Sequence, residues 1–189
     1  MSTPHILVFY GTKRLNPSAP KVAQWLKGKL NTETRATFEF IDLAELDLPL
    51  FDIEWPLKTE GPFPTEIHER WSKEVARADA FIVVTNEYNH SISPTIKNAI
   101  DYLHSGHWEK KPVGIMSYGG VSGGIRAAEH LRHVFAELYA MTIREQLVVH
   151  LSEAFDESNN LKDTAVIGNF EKFTDLLLWW TNALKSARA

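Results

Sequence analysis

The sequence predicts an α/β domain built on a parallel five-stranded sheet with helices on both faces. Three observations predict it. Five short apolar runs recur along the chain, and amphipathic stretches with helical spacing fall between them. The first, third and fourth runs are near-continuous rather than alternating, as strands covered on both faces tend to be.

In chain order, HILVFY (His5–Tyr10) is the first strand. Val22, Leu26 and Leu30 are spaced by four and mark the first helix. ATFEFIDL (Ala36–Leu43) is the second strand. From Ala44 to Pro64 runs a stretch with four prolines and no sustained period, predicted to be a surface loop. Ile67, Trp71 and Val75 mark the next helix, which Pro64 and Thr65 begin. AFIVVT (Ala80–Thr85) is the third strand. Ile96, Ala99, Ile100 and Leu103 follow the i, i+3, i+4, i+7 rule behind Ser93 as N-cap and Pro94 as first helical residue. PVGIMSY (Pro112–Tyr118) is the fourth strand, and Ile125, Ala128, Val134, Phe135 and Leu138 lie along the helix after it. TIREQLVVHL (Thr142–Leu151) is the fifth strand, and Leu176, Leu177, Trp180 and Leu184 mark the last helix. No repeat or linker divides the chain, so residues 1–189 are expected to form one domain with right-handed crossovers.

Composition narrows the function. The net charge of −4 argues against a nucleic-acid footprint, which is normally basic. The chain has no cysteine, which excludes disulfides, thiolate nucleophiles and Cys-ligated metal clusters. The Ile6–Tyr10 run is too short for a signal peptide, and no apolar run approaches the roughly 20 residues of a membrane span. A cytoplasmic protein with no membrane or nucleic-acid partner is expected.

In open α/β sheets, ligands bind outside the carboxyl ends of the strands. Three strand-to-helix loops therefore carry the argument. The first is Tyr10–Lys21, where Thr12 and Ser18 offer hydroxyls and Arg14 offers a bidentate cation beside a helix start, a combination suited to a phosphate monoester. The same loop is also consistent with a capped helix beside a solvated arginine. The second is Asn86–Ser93, whose amides and backbone suit the edge of a flat heterocycle with Tyr88 against it; the plain alternative is a polar turn. The third is Ser117–Ala128, where Gly119, Gly120, Gly123 and Gly124 permit close backbone approach, or simply a tight turn. All three should converge on one rim.

At these residues the chain resembles the NADPH-dependent FMN reductase family, which includes quinone, chromate and azo-dye reductases. The family's G-S-x-R-x-x-S is matched by Gly11-Thr12-Lys13-Arg14, with Ser18 one residue late. Its P-E-Y-N followed by L-K-N-A-I-D is matched by Asn86-Glu87-Tyr88-Asn89 and Ile96-Lys97-Asn98-Ala99-Ile100-Asp101, with asparagine in place of proline. Its S-x-G-G-x-x-G-G resembles the third loop. The resemblance implies a flavodoxin-like three-layer sandwich with strand order 2-1-3-4-5. It implies that Thr12, Arg14 and Ser18 hold the FMN phosphate. Asn86, Glu87, Tyr88 and Asn89 would hold the ribityl and pyrimidine side, and Ser117, Tyr118, Gly119 and Gly120 would border the ring. Hydride would pass from NADPH or NADH to flavin N5 and on to a small acceptor such as a quinone, flavin or azo compound. No side-chain acid or base is then essential, because the cofactor carries the chemistry. A homodimer or homotetramer is implied as well, with the aromatics of LFDIEW (Leu50–Trp55) as candidates to reach a partner's flavin.

Two other classes compete. Gly120-Val121-Ser122-Gly123-Gly124 fits the G-x-S-x-G elbow of a serine esterase, but no acid is well placed ahead of His150 to complete a triad. A flavodoxin-type electron carrier would share the fold without the arginine of the first loop. The pairs His104/His107 and His130/His133 have one-face helical spacing but no accompanying carboxylate, so no metal site is expected.

Overall fold

The computed structural model describes residues 2–15 and 17–188. The chain runs β1 (His5–Tyr10), α1 (Ala19–Leu30), β2 (Thr37–Asp42), α2 (Leu43–Leu46), α3 (Glu66–Arg77), β3 (Ala80–Tyr88), β4 (Ser91–Ile92), α4 (Pro94–Asp101), β5 (Pro112–Gly119), α5 (Ile125–Glu137), β6 (Met141–His150), β7 (Val166–Ile167) and α6 (Phe170–Arg188). The sheet order is β2-β1-β3-β5-β6-β7, with β4 pairing β3. The five long strands are parallel neighbours in the expected 2-1-3-4-5 order.

Strand count is the main correction: two short antiparallel strands, β4 and β7, join the predicted five. At two residues each, neither has enough length to show a period. A short helix, α2, also interrupts the start of the proline-rich stretch. Asp42 caps it by accepting from the Ala44 N–H at 2.8 Å, so Leu43 leaves the predicted second strand for the helix.

The burial pattern explains the near-continuous strands. Ile6 and Val8 in β1 face one side with Ala80, Ile82 and Val84 of β3, against Val22 and Leu26 of α1 and Phe173 and Leu177 of α6. Leu7 and Phe9 face the other with Phe81, Val83, Val113 and Ile115, against Trp71 of α3, Ile96 of α4 and Phe135 of α5. Each of the Val, Leu, Ile and Phe side chains contributes about 1.5–3 kcal/mol by leaving water. Ser93 caps α4 as its sequence predicts, accepting from the Ile96 N–H at 3.3 Å ahead of Pro94.

Trp180 is half-buried against the α6 side of the core, whereas Trp179 beside it is exposed. On the proline-rich stretch, Leu50 and Trp55 are exposed, while the Tyr102 hydroxyl donates to the Leu50 carbonyl at 2.9 Å and anchors the segment to the end of α4.

The docking of α6 depends on a missing side chain. A Cβ on Gly114 in β5 would lie 2.6 Å from Cζ of the fully buried Phe173. The ring therefore fits a hollow in the sheet where the β5–β6 register shifts. Gly114→Ala should destabilise the protein by about 1–3 kcal/mol through overpacking. In urea denaturation, adding Phe173→Leu should recover part of that loss; strictly additive losses would mean that the two positions do not press on each other.

Candidate functional site

β1 and β5 flank β3, so the three loops leave neighbouring strand ends on one rim. The chain order reverses direction between β1 and β3, which is the switch point where an open α/β sheet leaves a crevice. A cleft of about 350 Å3 opens there. The first loop contributes Thr12, Arg14 and Ser18 to its wall, β3 contributes Asn86, Glu87 and Tyr88, and the third loop contributes Tyr118, Gly119 and Gly120. Larger grooves of about 860 and 910 Å3 flank α6 and are lined by no described residue of the three loops.

The first loop turns at Gly11, whose φ of +135° suits glycine and whose Cβ would meet the Asp42 carboxylate at 2.7 Å. Thr12 is nearly buried, and its hydroxyl lies 2.7 Å from that of Tyr88, tying the first loop to β3. Arg14 is exposed, and its backbone N–H donates to Thr12 Oγ1 at 3.3 Å. Ser18 takes the N-cap position of α1 without a side-chain capping bond. Its hydroxyl is thus left for another partner at the positive end of the helix. Pro20 at the second helical position has no N–H to add.

The second loop corrects the sequence reading. Asn86, Glu87 and Tyr88 still belong to β3, and a hairpin follows them. Asn89 and His90 form its tip with φ of +47° and +75°, and Tyr88 pairs back onto Ser91. Asn89 faces an adjoining cleft of about 630 Å3 that shares Thr12, Arg14, Glu87 and Tyr88.

Glu87 has an engaged carboxylate. It accepts from the Ser122 hydroxyl at 2.9 Å, the Arg126 N–H at 3.1 Å and the Arg126 guanidinium at 3.0 Å. Burial alone would raise its pKa, but the bonds from Arg126 and Ser122 outweigh burial and hold it below the usual carboxylate value. The group clasps β3 to the glycine loop and to the start of α5. No local pattern points to this clasp, because Glu87 lies 35 residues from Ser122 and 39 from Arg126.

In the third loop, Ser117 lies outside both clefts. It is fully buried, donates to the Gly123 carbonyl at 2.9 Å and accepts from Gln146 at 2.9 Å, so it fastens the loop from beneath. Gly124 has φ of +81°, and a Cβ there would lie 2.7 Å from the Tyr118 carbonyl. Gly120, by contrast, faces open space. Burial, then the neighbouring Tyr88 and Asp42, push the Tyr118 phenol well above its ordinary pKa, so it stays protonated. Leu151 also lines the cleft; its position at the end of the predicted fifth strand was the available signal.

Ser122 does not sit in a hydrolase triad. Its partners among the described residues are Glu87 and the Gly124 N–H, and no histidine is one of them. The paired histidines are occupied separately: His107 with Ser72 and the His104 carbonyl, His130 with Ser91. Among the described residues no three His, Asp or Glu side chains gather as a metal site, and no helix is long and apolar enough to cross a membrane.

The arrangement fits a ligand with an anionic group at one end and a polar-edged plane at the other. Arg14, the Ser18 hydroxyl and the start of α1 suit the anion. Tyr88, Tyr118 and the open side of Gly120 suit the plane. Asn86 adds a buried amide with neither polar atom partnered among the described residues. FMN has this form.

A family model described as NADPH-dependent FMN reductase matches residues 4–154. An NAD(P)H-dependent FMN reductase of Schizosaccharomyces pombe is 35% identical over 133 residues, 70% of this chain and 66% of that protein. The chain thus spans about two thirds of the length of that relative. An FMN-dependent NADPH-azoreductase of Staphylococcus aureus is 28% identical over 182 residues, 93% of this chain and 94% of the other. FerB, a flavoenzyme NAD(P)H:(acceptor) oxidoreductase from Paracoccus denitrificans, superposes with a TM-score of 0.66 at 22% identity, covering 96% of this chain and 94% of that one. This last likeness is one of fold.

The Glu87 clasp makes a pH prediction. Its folded pKa lies below its unfolded value, so the unfolded chain takes up the proton first as the solution is acidified. Its stabilisation is complete above the ordinary carboxylate range and is lost as pH falls through the folded pKa. Glu87→Gln should lower stability at neutral pH and flatten the acid limb of a melting-temperature profile between about pH 5 and pH 3. An unchanged acid limb would show that the clasp does not stabilise the folded chain.

Proposed function

Since the chain belongs to the NADPH-dependent FMN reductase family, we propose that it is an FMN-dependent NAD(P)H oxidoreductase that reduces a small acceptor such as a quinone, a flavin or an azo compound. The observation that carries this is the meeting of Arg14, Asn86 and Tyr118 on one cleft at the strand ends. When bound, FMN supplies the hydride chemistry between the nicotinamide and the acceptor.

The residues do the binding and the orienting. Arg14, Thr12 and Ser18 hold the phosphate, with the dipole of α1 adding to the attraction. Tyr88, fixed by Thr12, sets the wall beside the ribityl and pyrimidine side together with Asn86 and Asn89. Tyr118 and the backbone of Gly119 and Gly120 border the ring. Hydrogen-bond donors there stabilise negative charge that develops during reduction, as an oxyanion hole does. Glu87 and Tyr118 do not act as acid or base here: Glu87 is ionised and engaged, and Tyr118 is held protonated. Ser117 supports the loop from below.

The exposed Leu50 and Trp55 are consistent with burial in a homodimer or homotetramer. Light scattering of the purified protein gives the mass directly, and a monomer would remove that part of the reading.

Two measurements test the function. The purified protein, supplied with FMN, should show the flavin absorbance, and NADPH should bleach it without air or a partner enzyme. Bleaching only with a separate reductase would make the chain an electron carrier instead. Arg14→Ala should weaken FMN binding by about 2 kcal/mol, roughly 30-fold, and leave riboflavin binding nearly unchanged. Equal loss for both flavins would move the phosphate elsewhere.

A further inference from the structure

We propose that the Asn86 carboxamide reads bound FMN through two hydrogen bonds and is kept unpartnered for that purpose at the expense of stability. The proposal rests on the FMN reading above and adds the part played by one side chain.

Asn86 is 5% exposed, and both Oδ1 and Nδ2 are buried without a hydrogen-bond partner among the described residues. Such orphans are few in folded proteins, and each one destabilises the fold unless something else satisfies it. Packing does not leave the residue loose. β3 pairs on this side with β5, where Asn86 faces Tyr118, and its carbonyl accepts from Thr85 Oγ1 at 3.0 Å. The side chain lines the cleft between the first loop and the glycine loop.

Several polar side chains of the rim are engaged elsewhere. Thr12 and Tyr88 bond each other, Glu87 holds Ser122 and Arg126, and Ser117 holds Gly123 and Gln146. Among the described residues the other unpartnered buried atoms belong to His5, His68 and Trp108, and none of these residues lines this cleft. Arg14, Ser18 and Tyr118 share the cleft without bonding the amide, which leaves the cleft's occupant as its partner.

A carboxamide presents an acceptor beside a donor. It matches a ligand with a donor beside an acceptor. FMN carries that pattern on the imide edge of its ring and on its ribityl hydroxyls. The shared chemistry is the same, and flavin analogues distinguish the two.

The test compares wild-type protein with Asn86→Leu, which keeps the approximate size, and Asn86→Ala, which adds no bulk. Flavin-free samples are melted, and FMN is titrated by fluorescence quenching. The melting temperature of flavin-free Asn86→Leu should rise by roughly 2–4 °C, because an unsatisfied group is gone. The FMN dissociation constant should rise at least about tenfold in both variants. With lumiflavin, which keeps the imide but lacks the ribityl chain, a persisting penalty assigns the amide to the ring and a vanished one assigns it to the chain. Unchanged FMN affinity in both variants would overturn the proposal, as would a lower flavin-free melting temperature in both. Failure of the wild-type protein to bind FMN is seen before any variant is made and would overturn the functional reading itself.

Discussion

Burial of the sheet on both faces is the constraint on which the rest of the structure depends. From Ile6 to Phe9 and from Phe81 to Val84 the side chains are almost wholly shielded, with helices above and below. Polar chemistry has no place along such strands. It can appear only where they end, and the order β2-β1-β3-β5 brings three carboxyl ends together beside the switch point. The same apolar layers that stabilise the fold therefore decide where a ligand can be recognised.

The rim is held by a small set of polar contacts between segments distant in sequence. Thr12 with Tyr88 joins the first loop to β3, and Glu87 with Ser122 and Arg126 joins β3 to the glycine loop. Ser117 and Gln146 pin that loop from below. Side chains placed in this way are preorganised, so binding does not have to order them. Asn86 is the exception beside these contacts, since its amide has no partner among the described residues. A protein tuned only for stability would place an apolar residue there, and the amide is best understood as a concession of stability to recognition.

Much of this was legible in the sequence. The five long strands announce themselves because double-sided burial makes them continuous, and Ser93-Pro94 marks a helix start through capping chemistry alone. The convergence of the three loops followed from strand order rather than from any one residue. What could not be read has physical reasons. β4 and β7 are too short for periodicity, and β3 runs on into polar residues because hairpin pairing, not hydrophobicity, sustains it there. Ser117 resembles a rim residue by position, yet its side chain points beneath the loop to Gly123 and Gln146. The Glu87 clasp joins residues whose proximity only the folded chain creates. Ser122 fits a nucleophile elbow as a pattern, and its hydroxyl serves that clasp instead.

The central claim is that one cleft at the ends of β1, β3 and β5 holds FMN. A crystal structure of the FMN-loaded protein tests it most directly. The phosphate is expected at Arg14 and Ser18, with the flavin ring between Asn86 and the Tyr118–Gly120 backbone. Flavin bound instead in the grooves beside α6, or with its phosphate away from the first loop, would place the site elsewhere.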